Sequence, residues 1–222
     1  MLTSSPQSVG ILSYKLHEEL AEELNGKERY GYRDTPTISF VIQEGHNQPP
    51  HVLETEPSFS WLSKDNMADL EYSGRTKSTA QVHPYQFCHT LLEESKQMGV
   101  SVIQARATAL ETVGKEYSEL HYTLSKSGEK GSVRADKFVL AAGPWTGKLL
   151  KSLFNTELPI HELPGHSMII QTRRPLPALA GFGTAKDHKG LATQTPEFFT
   201  RPDGTIYVAG ENSESRHNET HK

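Results

Sequence analysis

The run Phe138-Val139-Leu140-Ala141-Ala142, closing on Gly143-Pro144-Trp145, limits the fold of this 222-residue chain more than any other stretch. It is apolar on both faces and ends in small residues and a glycine. A strand of that kind belongs in a parallel sheet covered on both sides, so an α/β arrangement is predicted. In open α/β sheets ligands collect beyond the carboxyl ends of such strands, where small residues let a ligand approach the backbone. Tight helix–sheet packing would account for the same small residues equally well.

The segment before it supports the same arrangement. His83-Pro84 precedes Phe87, Cys88, Leu91, Leu92 and Met98, which share one helical face. Pro84 suits a first helical position, and Gly99 suits the stop. Val100 to Ile103 is β-branched and apolar, so helix, glycine and buried strand follow in order. Strands are predicted around Thr108–Val113 and Tyr117–Ser125, followed by a polar turn through Gly128 and Gly131, with a helix over Trp145–Phe154. Nearer the start, Val9, Leu12, Leu16, Leu20 and Leu24 form one stripe of a helix over Ser8–Leu24. Thr37–Ile42 alternates as a half-buried strand, 45–60 is a Pro-containing loop and Trp61–Leu70 a short helix. Near residue 155 the texture turns antiparallel. Leu158–Thr172 and Phe198–Ala209 are predicted strands, the second broken by a Pro202-Asp203-Gly204 turn, with a loop-rich stretch over 173–195 between them.

Composition removes several functions. Lys plus Arg is 23 against 27 Asp plus Glu, a net charge of −4, and the charges are interleaved, so a nucleic-acid partner is not expected. A single cysteine, Cys88, excludes an internal disulfide framework and a multi-cysteine zinc site, and its helical face predicts an inert buried thiol. The eleven histidines are dispersed, and His83/His89 and His161/His166 lack zinc-helix spacing, so no metal is expected. No run is long enough to span a membrane, and Met1–Gly10 lacks a secretory pattern, which predicts a cytoplasmic chain. No G-x-S-x-G elbow is present. Mean hydropathy of −0.57 is low for a free-standing domain and predicts a core completed by further chain.

Several motifs in order carry a family resemblance. The Ala135–Trp145 stretch resembles the flavin-contacting strand and turn of FAD-dependent oxidoreductases related to D-amino acid oxidase, glycine oxidase and sarcosine oxidase. Thr79-Ala80-Gln81-Val82-His83-Pro84, the helix after it, Gly99-Val100 and the Thr108 strand are similar to the segment that leads to the adenine-contacting strand. Leu163–Ile170 is similar to a substrate-domain strand, and Phe198–Gly210 to the hairpin near that domain's end. The resemblance is especially close to a fungal branch, some of whose members are linked to late-endosome sorting.

That resemblance implies an α/β (α+β) fold: a partial FAD-binding Rossmann-like domain with an interleaved antiparallel substrate-binding sheet. It divides the chain into 1–78, a helix and the start of the substrate region; 79–155, the partial FAD domain; 156–211, substrate-domain strands; and 212–222, a polar tail. It implies FAD as cofactor, an amine or amino acid as substrate, and hydride transfer from the substrate carbon to the flavin. Thr108, Ala141, Ala142, Gly143, Pro144 and Trp145 would line the FAD site, and His83, His166 and Arg201 would face substrate. A guanidinium can clamp a carboxylate through two parallel hydrogen bonds. A helix-entry histidine bonded to backbone and a solvated turn arginine are the plain alternatives for His83 and Arg201. The family's G-x-G-x-x-G unit is not in this sequence, and Gly181-Phe182-Gly183-Thr184-Ala185-Lys186 is rejected as an imitation because lysine stands at the third glycine. The chain therefore corresponds to the middle of such a flavoprotein. By itself it is expected to bind FAD weakly or not at all. A non-catalytic remnant or protein-interaction module, cytoplasmic or late endosome-associated, is the alternative.

Overall fold

The computed structural model describes residues 6–48, 60–74, 78–113, 116–160 and 163–212. Most of the predicted loop at 45–60, and all but the first residue of the polar tail, lie outside them. The chain divides into two compact units, 1–94 with 164–222, and 95–163.

In the first unit the predicted N-terminal helix is α1, Pro6–Glu23, followed by a short α2, Gly26–Tyr30. The α1 stripe is less covered than its periodicity promises, since Val9, Leu12 and Leu16 are exposed. Asn25 and Gly31 bracket α2 in left-handed backbone, φ 53° and 66°. The fold then forms β1 (Arg33–Asp34), β2 (Thr37–Gln43), β3 (Met67–Gly74), β4 (Ala80–Gln81) and α3 (Pro84–Gln97). Pro84 opens α3 as predicted, and Gly99 follows it at φ 91°. Cys88 on this helix is exposed, correcting the expectation of a buried thiol.

Trp61–Leu70 is not a helix. Residues 60–62 turn, Asn66 adopts φ 58°, and Met67 begins β3, which pairs antiparallel with β2. Cross-strand pairing, invisible locally, overrides a helical reading of so short a window.

The rest of this unit is β8 (Gly165–Gln171), β9 (Ala180–Lys186), β10 (Ala192–Gln194), β11 (Glu197–Thr200) and β12 (Thr205–Asn212). They join β2 and β3 in a seven-stranded sheet ordered β3-β2-β9-β11-β12-β8, with β10 beside β9. β2 and β9 run parallel, and the other pairs are antiparallel. The stretch 173–195 thus holds two strands where a loop was expected. Glycine hid the first of them. Gly181 lies under the Phe198 ring and Gly183 under the Phe40 ring, where a Cβ would collide with each. That packing also confirms that Gly181-Phe182-Gly183 is a strand and not a phosphate loop.

One sheet face carries the core, with Ile38, Phe40, Met67, Leu70 and Leu179 buried and Trp61 and Phe198 packed on them. Alternation places Phe182, Phe199 and Tyr207 on the opposite face, in a row of ring contacts at 5.7 and 6.2 Å.

The second unit contains an antiparallel meander of β5 (Ala105–Val113), β6 (Glu116–Leu124) and β7 (Lys130–Arg134), with α4 (Thr146–Phe154) contacting β5. β5, β6 and α4 match the prediction. β7 replaces part of the expected polar turn, and Gly131 sits flat against the Tyr122 ring. Two predicted strands do not form. Residues 101–104 and 137–142 join no ladder, and Val139 is 90% exposed. A parallel strand needs hydrogen-bonding neighbours, and none of the described residues provides them. Among the described residues no helix is long and apolar enough to cross a membrane.

Candidate functional site

Two of the predicted site residues meet in the first unit. His83 and Arg201 both line a cavity of about 510 Å³, with Gln81, Tyr85, Phe199 and Tyr207 among its other walls. Its volume is in the range of ordinary small-molecule sites.

One wall is the segment from Ala80 to Tyr85. Its position comes from a strap of backbone around residues 30–35. β1 pairs with β4 through Arg33 opposite Gln81 and Asp34 opposite Ala80. The His83 N–H donates to the Tyr30 carbonyl at 2.8 Å, and Thr35 N–H to the Thr79 carbonyl at 3.0 Å. Tyr30 is itself fully buried and meets Phe87 of α3 edge-on at 5.1 Å. Arg29 donates to Glu94 at 2.5 Å and Glu93 at 3.1 Å, fastening α2 to α3.

The other wall is the β11–β12 hairpin with its predicted Pro202-Asp203-Gly204 turn. Arg201 N–H donates to the Thr205 carbonyl at 2.8 Å, Gly204 N–H to the Arg201 carbonyl at 3.2 Å, and Gly204 has φ 81°. Asp203 accepts from the Thr205 N–H and hydroxyl at 2.9 and 2.7 Å. Burial alone would raise the Asp203 carboxyl. Those two hydrogen bonds, with Arg201 and His83 nearby, hold it below the usual carboxylate range. The Arg201 guanidinium lies over the Tyr207 ring, 4.9 Å from its centroid, a cation–π contact made by a half-exposed side chain.

Sequence reasoning missed the residues that join these walls. Thr200 is fully buried. Its hydroxyl donates to the Pro177 carbonyl at 2.7 Å and accepts from Leu179 N–H at 2.9 Å. Its carbonyl accepts from Arg33 Nη2 at 2.7 Å and Gln81 Nε2 at 2.8 Å. Arg33 forms no salt bridge among the described residues, and burial lowers its pKa, with Asp203 opposing. A half-buried arginine is a detectable signal only once its partner, 167 residues away, is known.

The remaining predicted residues lie elsewhere. His166 lines a separate cavity of about 200 Å³ with Gln194 and Gly210. Thr108 and the Ala141–Trp145 turn belong to the second unit. Thr108 falls at a register shift between Ala107 and Ala109. Gly143 begins a 3₁₀ turn at φ 53°, and Trp145 is 63% exposed. No group of three or more His, Cys, Asp or Glu among the described residues could hold a metal.

Residues 5–222 match the model of a family described as "FAD dependent oxidoreductase". The chain belongs to that family. It is 30% identical over 219 residues to "Putative oxidoreductase C1F5.03c" of Schizosaccharomyces pombe, covering 93% of this chain and 55% of that protein. It is 26% identical to "Putative oxidoreductase TDA3" of Saccharomyces cerevisiae, over 75% of this chain and 35% of that protein. The chain therefore spans about half the length of these relatives, or less. In fold it is similar to iminodiacetate oxidase (IdaA) from Chelativorans sp. BNC1, with a TM-score of 0.63, 14% identity, and coverage of all of this chain and 61% of that one. It is similar also to NikD, an unusual amino acid oxidase essential for nikkomycin biosynthesis, with a TM-score of 0.61, 14% identity, and coverage of 95% and 56%. These likenesses establish an α/β fold of the FAD oxidoreductase kind.

The family implies FAD, and the turn at Gly143 is the part of the candidate site that would have room for it. A Cβ at Gly143 would meet nothing within 4 Å, so the backbone of this turn is open to a flat ring. From Ala141 to Trp145 there is no basic side chain to meet a diphosphate.

Proposed function

We propose that this protein oxidises an amine carrying a carboxylate, an amino acid in the broad sense, and that the His83–Arg201 cavity receives it. The observation that carries this reading is the Arg201 guanidinium over the Tyr207 ring, both lining a cavity with aromatic walls. A stacked guanidinium presents two parallel N–H donors in the plane of a carboxylate. Phe199, Tyr85 and Tyr207 would cover the substrate's carbon skeleton and keep water from it. The His83 ring lines the same cavity, with its Nδ1 buried and without a hydrogen-bond partner among the described residues. FAD, when bound, supplies the acceptor for the hydrogen of the adjacent C–H bond. Ala141, Ala142, Gly143, Pro144 and Trp145, with Thr108, are the residues that would meet its ring and adenine ends. His166 lines its own cavity.

The test is oxygen consumption by the purified full chain, with its flavin absorbance recorded, on amino acids and on the same amines without the carboxylate. Preference for the amino acids that Arg201→Met erases supports the reading. Equal turnover of both sets overturns it. Flavin absorbance at one equivalent per chain would overturn the expectation that this stretch alone binds FAD weakly.

A further inference from the structure

We propose that the Thr200–Arg201 peptide plane sets the separation of the two cavity walls, and that Gln81 is a positioning residue acting through it on Arg201. The inference rests on the cavity being the substrate site.

The Thr200 carbonyl and the Arg201 N–H belong to one rigid plane. The N–H end is fixed to the Thr205 carbonyl. The carbonyl end is fixed twice, by Gln81 Nε2 and by Arg33 Nη2, using both lone pairs of the oxygen. Rotating the plane would break all three hydrogen bonds, so the direction in which the Arg201 side chain leaves the backbone is held.

Gln81 stands two residues before His83 and is itself part of the opposite wall. Its bond to Thr200 therefore ties the segment that carries His83 to the residue before Arg201. A carbonyl only accepts, so the Gln81 amide must turn its nitrogen to Thr200, which leaves its Oε1 buried without a partner among the described residues. Arg33 Nε is likewise buried and without a partner among the described residues. An arrangement that served stability alone would gain by apolar groups here, because buried polar atoms left without a partner are costly. Their presence is consistent with a geometry held for the cavity.

The experiment compares the full chain with Gln81→Met, which keeps length and volume and loses the donor. Amide exchange is read at Arg201, and binding of 4-fluorobenzoate, an aromatic carboxylate probe, by fluorine NMR. The expected result is a melting midpoint within about 3 °C of wild type, Arg201 exchange several-fold faster, and probe affinity about tenfold weaker. Unchanged Arg201 exchange in folded Gln81→Met overturns the proposal. If exchange quickens but the wild-type chain ignores the probe, the positioning role stands and the carboxylate reading of the cavity fails. Should Gln81→Met not fold, Gln81→Asn, one methylene short of the carbonyl, carries the same comparison.

Discussion

The guanidinium carbon of Arg201 lies 4.9 Å from the centroid of the Tyr207 ring. The two residues come from opposite arms of one hairpin, and Phe199 supports Tyr207 from the neighbouring strand at 6.2 Å. A cation over an aromatic face is held in orientation without its donors being used, which leaves them for a ligand.

Tyr207→Leu should therefore weaken 4-fluorobenzoate binding by about 3- to 10-fold, while Tyr207→Phe stays within about twofold, because the ring and not the hydroxyl carries the stacking. Equal losses in the two variants would show that the phenol, rather than the ring face, matters. Fluorine NMR titration decides between them.

Thr200→Val should cost about 2–3 kcal/mol in chemical denaturation, and Thr200→Ser less than about 1 kcal/mol. The valine variant leaves the Leu179 N–H and the Pro177 carbonyl without the buried hydroxyl they share, and such groups retain their full desolvation cost.

Asp203 predicts a pH dependence. Its carboxyl is held below the usual value, so the folded state favours the ionised form. The stabilisation is complete above the unfolded carboxylate range of about 4 and disappears as pH falls through the lower folded value. Melting midpoints of Asp203→Asn should consequently converge on wild type at acid pH and fall below it near neutrality. A constant offset at every pH would refute the assignment.

Gly183→Ala should lower stability by about 1–3 kcal/mol, since the added methyl meets the buried Phe40 ring. Gly10→Ala serves as the control, because a Cβ there meets nothing within 4 Å. Thermal melts of the two variants provide the comparison.

Much of the architecture was readable from residue order. Pro84 and Gly99 marked the ends of α3, Pro202-Asp203-Gly204 marked a hairpin turn, and alternation at Ile38 and Phe40 marked β2. His83 and Arg201, singled out by family resemblance, line one cavity. Cys88 was not placed correctly, because a helical apolar face says nothing of whether another element covers it.

Helix starts, stops and tight turns were legible because proline, glycine and aspartate act on their own few backbone dihedrals, within reach of a short window. Strand pairing is a different kind of fact. Val100–Ile103 and Phe138–Ala142 have the composition of buried strands and pair with nothing described, whereas the glycine-broken 180–186 lies inside a sheet because aromatic rings cover it. The peptide plane ahead of Arg201 depends on side chains 119 and 167 residues distant from Thr200. Such partnerships exist only after the chain has closed those long loops, so packing decided them where local preference could not.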